Sequence, residues 1–268
     1  MTEPVPRAVR ARSFDSWAVE YDRYRPSYPP ALFDLIGNRL RLPERPLVVD
    51  LGAGTGKAAL AMAARGWEVT AVEPGGPMLA VLRRQAVEAR LDIATVQAVA
   101  EATTLPSSSF DLATAGEAFH WFDAPHGLRE IGRILRPGGG LACFWNNRDV
   151  DTSALLSDYD ELARTVGEET SAAPAREETR AEIMASDAFE EPTFEQVRHE
   201  VPMTGEAFIG LAFTKSHLRT AESSVQDRFR AELEAVLRRH GIERTTRFSV
   251  PYVVDCWIAR WRGGESGV

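Results

Sequence analysis

The sequence predicts an α/β fold, a doubly wound and mostly parallel sheet with helices on both faces. Short apolar runs alternate with stretches of helical periodicity between Pro46 and Asn147. A glycine-rich turn, "GAGTG", stands between the first apolar run and the first helical stretch. Strands joined through helices in this rhythm close right-handed and parallel.

The elements follow in order. "PLVVDL" is a buried parallel strand that stops at the glycine turn, and Thr55 to Arg65 is an alanine-rich helix closed by Gly66. "WEVTAV" is the second strand. Pro77 suits the first turn of a helix in which Met78, Leu79, Leu82 and Ala86 recur at helical spacing. "IATVQA" and "FDLATA" are the third and fourth strands. Leu128, Ile131 and Leu135 mark one face of the next helix, which "RPGGG" ends, and "LACFWN" is the fifth strand.

Beyond Asn147 the pattern changes. Residues 151–190 are acidic and helical in character, with "SAAPAREET" as a linker or mobile helix. "FEQVRHEVPM" reads as a strand, Ala207 to Leu218 and Gln226 to His240 as helices, and "RFSVPYVVDCWIARW" as a long closing strand. This half is expected to extend the same sheet and carry a helical insertion. The chain is then a single domain over 1–268: a segment before the first strand (1–45), a core (46–149), an insertion with an edge strand (150–240), and a closing strand and tail (241–268).

The glycine turn narrows the ligand. A phosphate-cradling loop needs G-x-x-x-x-G-K-[ST], but Leu51 takes the place of the first glycine and Ala58 that of the hydroxyl. A dinucleotide fingerprint needs glycine where Lys57 stands. Gly52, Gly54 and Gly56 instead follow G-x-G-x-G, and Glu73 closes the next strand about 20 residues on, where a carboxylate meets ribose hydroxyls. The pair asks for a nucleoside without provision for a pyrophosphate.

Composition bounds the partners. A formal net charge of -8 argues against general nucleic-acid binding. No run is long enough for a membrane span, and the first residues lack the apolar core of a signal peptide. Cys143 and Cys256, the only cysteines, sit in strand-like text and read as buried thiols. A cytoplasmic protein with no metal and no membrane partner is expected, as monomer or homodimer.

The segments "VVDLGAGTGKAA", "VTAVEPGGPML", "AEATTLPSSSFDLATAGEAFHWFD" and "LREIGRILRPGGGLACFWNNRD" together resemble class I methyltransferases that use S-adenosylmethionine. "SFDSWAVEYDRYRPSYP" and "PYVVDCWIARW" extend the similarity, over Ser13 to Trp261, to the branch of trans-aconitate methyltransferase-like enzymes. The resemblance implies a Rossmann-like seven-stranded sheet with an antiparallel last strand, a helical lid, and methyl transfer that leaves S-adenosylhomocysteine. It assigns Gly52, Gly54 and Gly56 to the amino-acid portion of the donor and Glu73 to the ribose. Met78, Ala100 and Glu101 fall to the adenine, and Asp50 to the acid before the glycines. Tyr21 and Arg25 of the lid become candidates for the donor's carboxylate, with core packing as the competing reading.

In that family the segment "AGEAFHWFD" passes the methyl donor and enters the acceptor site. Glu117 stands where the family commonly has glutamine, so a carboxylate here orients a nucleophile, accepts its proton, or matters only to geometry. His120 is chemically suited to act as a base, but "FHW" recurs whatever the substrate, which favours a positioning role. Trp17, Tyr28, Trp121, Asn146, Phe213, His217 and Tyr252 are expected on the acceptor side. The expected function is transfer to oxygen or nitrogen of a small molecule. A donor-cleaving lyase or cyclase and a non-catalytic nucleoside binder are the rivals.

Overall fold

The computed structural model describes residues 18–167 and 173–263. Its seven-stranded sheet has the order β3-β2-β1-β4-β5-β7-β6. The strands are β1 (Leu47–Leu51), β2 (Glu68–Val72), β3 (Ile93–Val96), β4 (Phe110–Gly116), β5 (Leu135–Arg148), β6 (Thr193–Thr204) and β7 (Arg247–Arg260). Neighbours from β3 to β5 pair in parallel, and β7 runs antiparallel to both β5 and β6. The expected antiparallel last strand is therefore present, and it sits inside the sheet with β6 at the edge.

Helices α1 (Ala18–Tyr24) and α2 (Pro30–Leu40) precede β1. α3 (Lys57–Ala64), α4 (Gly76–Ala89) and α5 (Ala124–Ile134) make the connections of the parallel half. On one face Phe33, Ile36, Met62 and Leu82 pack with Val48 and Phe144. On the other, Leu128, Ile131 and Ile134 pack with Val49, Ala113 and Trp257. Strands buried on both faces are mostly apolar, and β1 and β4 read as largely apolar runs, broken at Asp50, Asp111 and Thr114. Cys143 and Cys256 are free and buried, as expected.

The sequence reading places Leu135 in a helix closed by "RPGGG", and here the structure differs. The helix stops at Ile134, and β5 runs from Leu135 straight through the glycines. Backbone N–H groups of Ser108 and Ser109 donate to the last-turn carbonyls of Arg133 and Ile134 at 2.9 and 2.8 Å. Those contacts satisfy the helix end, and Leu135 turns to extended backbone at ψ 142 and pairs with Phe110. Its side chain still enters the same core, so the apolar period carries across the boundary.

The second half forms α6 (Ala154–Arg164), α7 (Ala173–Met184), α8 (Gly205–Ala212), α9 (Ser216–Arg219) and α10 (Ser223–Arg239). The single helix expected from Ala207 to Leu218 is divided, because the chain leaves α8 at Ala212 and starts again at Ser216. Leu156, Tyr159, Phe208, Phe229 and Leu233 close a third cluster against Val250 and Tyr252 of β7. That cluster stands over the ends of β5 and β7 and roofs one side of the site. No helix among the described residues is long and apolar enough to cross a membrane.

Candidate functional site

A cleft of about 210 Å³ opens at the carboxyl ends of β1 and β4, where open α/β sheets place their ligands. Its floor is the glycine turn. Gly52, Gly54 and Gly56 all have positive φ (66, 56 and 92°), but their surroundings differ. A Cβ on Gly52 would lie 2.6 Å from Cβ of Ala118 and 3.6 Å from the Phe122 ring. A Cβ on Gly56 would meet Leu82 of α4 at 2.7 Å, so that glycine serves helix packing and does not line the cleft. Nothing lies within 4 Å of the corresponding position on Gly54, which faces open space.

Glu73 holds this turn in shape. Gly54 N–H donates to Oε2 at 2.9 Å and Gly75 N–H to Oε1 at 2.8 Å. The acid closing β2 thus ties the glycine turn to the start of α4. Charge-assisted hydrogen bonds of this kind are among the stronger ones.

Asp50, the last acid before the glycines, is 1% exposed and lines the cleft. Thr114 Oγ1 donates to its Oδ1 at 2.7 Å, and Oδ2 has no hydrogen-bond partner. Burial pushes its carboxyl up from 3.8 to about 7, against the opposing pulls of the Thr114 hydroxyl and the Ala59 backbone N–H, and Glu73 nearby adds to the rise. The Thr55 hydroxyl, in the turn itself, is likewise buried, lines the cleft and lacks a partner.

The aromatic turn after β4 divides its labour. Glu117 lines the cleft with a φ of 56°, a left-handed conformation uncommon for a residue with a side chain. Its N–H donates to Phe144 O at 2.8 Å and its Oε1 accepts from Asn146 N–H at 2.9 Å, so it bridges the tips of β4 and β5. Phe119 and Phe122 are core residues, with ring centroids 5.6 Å apart. Trp121 packs partly buried on the same cluster, outside the cleft.

Indole Nε1 of Trp145 donates to His120 Nδ1 at 3.2 Å. An indole N–H can only donate, so Nδ1 uses its lone pair here and the neutral ring carries its hydrogen on Nε2. In this arrangement neither nitrogen is available to take a proton. The hydrogen bond ties His120 to Trp145 of β5.

The lid and the insertion complete the walls. Lys57, which opens α3, holds Asp22 of α1 through the carboxylate at 3.0 Å and the main-chain oxygen at 2.6 Å. Arg25 lines the cleft and donates from Nε to Thr214 Oγ1 at 3.0 Å, joining the lid to the chain after α8. Tyr28 lines the cleft edge-on to Phe144 at 4.7 Å. Asn146 donates to Ser27 O at 3.2 Å and accepts from His199 Nε2 at 3.0 Å. Tyr252 is buried and lines the far end.

Of the residues named from sequence, the cleft brings together Arg25, Tyr28, Asp50, Gly52, Gly54, Glu117, Asn146 and Tyr252. Others lie elsewhere. Met78 packs with Ala18 and Val81. Ala100 is in the core, and Glu101 accepts from Asp123 N–H at 2.8 Å, fastening the end of the aromatic turn. Phe213 lies under Arg230, 4.2 Å from its ring, outside the cleft. Tyr21 falls in α1 and His217 in α9, with side chains outside those described, and Trp17 is outside the described residues. Sequence reasoning missed Thr55, Lys57, Arg148, Asp160 and Lys215. Thr55 and Lys57 stand within the glycine motif itself and were within its reach.

A sheet of this order, with a glycine turn tied to the acid of β2 and a cleft at the strand ends, defines the class I methyltransferase fold. The methyltransferase domain family matches residues 49–143. An uncharacterised methyltransferase of Mycobacterium tuberculosis is 32% identical over 250 residues, covering 91% of this chain and 93% of its own. A yeast protein assigned as an S-adenosylmethionine-dependent methyltransferase is 32% identical over 50% of this chain and 46% of its own. A solved structure assigned as a type II methyltransferase, from Anaeromyxobacter dehalogenans, is 26% identical with a TM-score of 0.67, over 88% of this chain and 98% of that one. The chain belongs to the S-adenosylmethionine-dependent methyltransferases, and S-adenosylmethionine is its cofactor.

Proposed function

We propose that the cleft carries out methyl transfer to an oxygen or nitrogen of a small-molecule acceptor. The observation that supports this reading is the set of buried polar atoms without partners. Of the four such atoms among the described residues, Asp50 Oδ2, Thr55 Oγ1 and Asp160 Oδ1 belong to residues that line the cleft, and the fourth, Asp22 Oδ1, lies 3.0 Å from Lys57 Nζ. A buried polar atom left unmet costs about 1–3 kcal/mol, so a cluster of them marks where ligands complete the structure.

S-adenosylmethionine supplies a methyl group on a sulfonium. The chain's part is to hold and to shield. Gly52 and Gly54 offer backbone to the amino-acid portion, with Asp50 and Thr55 below it. Glu73 serves the ribose, and by the resemblance the adenine side falls to Met78, Ala100 and Glu101, which lie outside the cleft lining. Tyr21 and Arg25 hold the donor carboxylate from the lid. Glu117, fixed at the tips of β4 and β5, orients the acceptor's nucleophile, and His120 steadies the turn that carries Glu117. The likeness to trans-aconitate methyltransferase-like enzymes supports a small acceptor, handled in the cytoplasm by a single-domain protein, as monomer or homodimer.

Calorimetric titration with S-adenosylmethionine and S-adenosylhomocysteine, followed by mass analysis, tests the reading. Both are expected to bind, and the donor alone is expected to stay intact. Methylthioadenosine formed without an acceptor would replace this proposal with a lyase or cyclase. Binding of neither would remove the site.

A further inference from the structure

One unmet atom of the cleft belongs to neither the glycine turn nor the aromatic turn. Asp160, on α6, is 4% exposed. Its Oδ2 pairs with Arg164 one helical turn on, and its Oδ1 has no partner. The Arg164 side chain is 61% exposed, so the ion pair faces out and the unmet oxygen belongs to the buried side. Asp160 shares the cleft with Val150, Leu211 and Tyr252, which come from the insertion and β7. None of these lies on the glycine turn or β2, which the donor occupies in the reading above.

An ionised carboxyl needs a countercharge and hydrogen bonds for both oxygens when it leaves water. Arg164 meets the charge and one oxygen, and what is missing is a hydrogen-bond donor. A helix that needed an acid here only for its Arg164 pair would present it at the surface, as the same helix does with Asp158, whose carboxylate takes His240 and Arg239.

We propose that Asp160 selects the acceptor: its Oδ1 receives a hydrogen bond from a hydroxyl or ammonium group of the molecule to be methylated. The inference rests on the cleft being the methyl-transfer site. It names the substrate class as compounds bearing such a donor, and it disfavours those that offer this oxygen only an acceptor, such as ethers; Arg148 and Lys215 line the same cleft, so a carboxylate elsewhere on the molecule is compatible. A site built to take a hydrogen bond rejects the analogue that lacks it more strongly than an apolar pocket rejects an extra methylene.

The test uses full-length protein saturated with S-adenosylhomocysteine and three probes on one scaffold: 2-phenylethanol, 2-phenylethylamine and the methyl ether of 2-phenylethanol. Ligand-observed NMR titration gives their affinities for the wild type, Asp160→Leu and Arg164→Gln. The alcohol or the amine is expected to bind the wild type at least about tenfold more tightly than the ether, as a hydrogen bond to a charged group allows. That ratio should fall to near one in Asp160→Leu and persist in Arg164→Gln. Asp160→Leu should also melt at or above the wild-type temperature, because it removes an unmet buried oxygen.

No discrimination by the wild type, an unchanged ratio in Asp160→Leu, or a lower melting temperature for that variant overturns the proposal. Normal binding of S-adenosylhomocysteine beside any of these leaves the methyl-transfer reading standing. Failure of S-adenosylhomocysteine to bind the wild type takes both down.

Discussion

Asp50→Asn should stabilise the ligand-free protein, and the gain should grow with pH. In the folded chain burial holds the Asp50 carboxyl at about 7 against an ordinary value of 3.8. Below 3.8 both folded and unfolded chains keep the proton, and this group leaves stability untouched. Between 3.8 and 7 the unfolded chain releases its proton while the folded chain retains it, so stability falls as pH rises. Above 7 the penalty is complete. At about 1.36 kcal/mol per pH unit, the interval amounts to on the order of 4 kcal/mol. Asparagine retains an oxygen for the Thr114 hydroxyl and carries no such penalty. Urea unfolding of both proteins at pH 5 and pH 8 should therefore show the advantage of the variant increasing by about 2–3 kcal/mol. An advantage equal at the two pH values, or a variant less stable at pH 8, would refute the reasoning. The same variant should bind S-adenosylmethionine less tightly, since Asp50 lines the cleft.

Three further predictions concern the turns. Gly54→Ala should lower stability by about 1–2 kcal/mol through its positive φ alone, whereas Gly56→Ala adds a collision with Leu82 and should cost about 1–3 kcal/mol more; thermal melts of the pair give the order. Glu73→Ala releases the N–H groups of Gly54 and Gly75, and calorimetry should find S-adenosylhomocysteine bound at least about tenfold more weakly. Trp145→Phe removes the donor to His120 Nδ1 at a cost of about 1 kcal/mol, and nitrogen NMR of the imidazole should show the ring released from a single tautomer.

The strands of the parallel half were legible as short, mostly apolar runs between helical stretches, and the glycine turn with Glu73 was legible as a spacing. What Glu73 does in the folded chain was not, since its grip on Gly54 depends on two segments meeting. The start of β5 was misread for a related reason. Leu135 feeds the same core as Leu128 and Ile131, and the period alone cannot register the change of backbone beneath it. That His120 accepts a hydrogen bond from Trp145 was not legible, because Trp145 is a distant strand residue. Nothing in "ALLSDYDELAR" separates Asp160 from Asp158, yet one is buried in the cleft and the other pairs with His240 at the surface. Such differences belong to tertiary placement.

The missing side chain at Gly52 has a consequence for how this enzyme can change. With Ala118 and Phe122 pressed against that position, the donor platform and the aromatic wall form one rigid corner. A substitution in either piece displaces the other, so mutations there are costly whatever acceptor is in use. The roof, made of α6, α8 and the chain leaving β5, touches neither piece through such a contact. Diversification of substrate range can proceed there, one residue at a time, while the chemistry keeps its geometry.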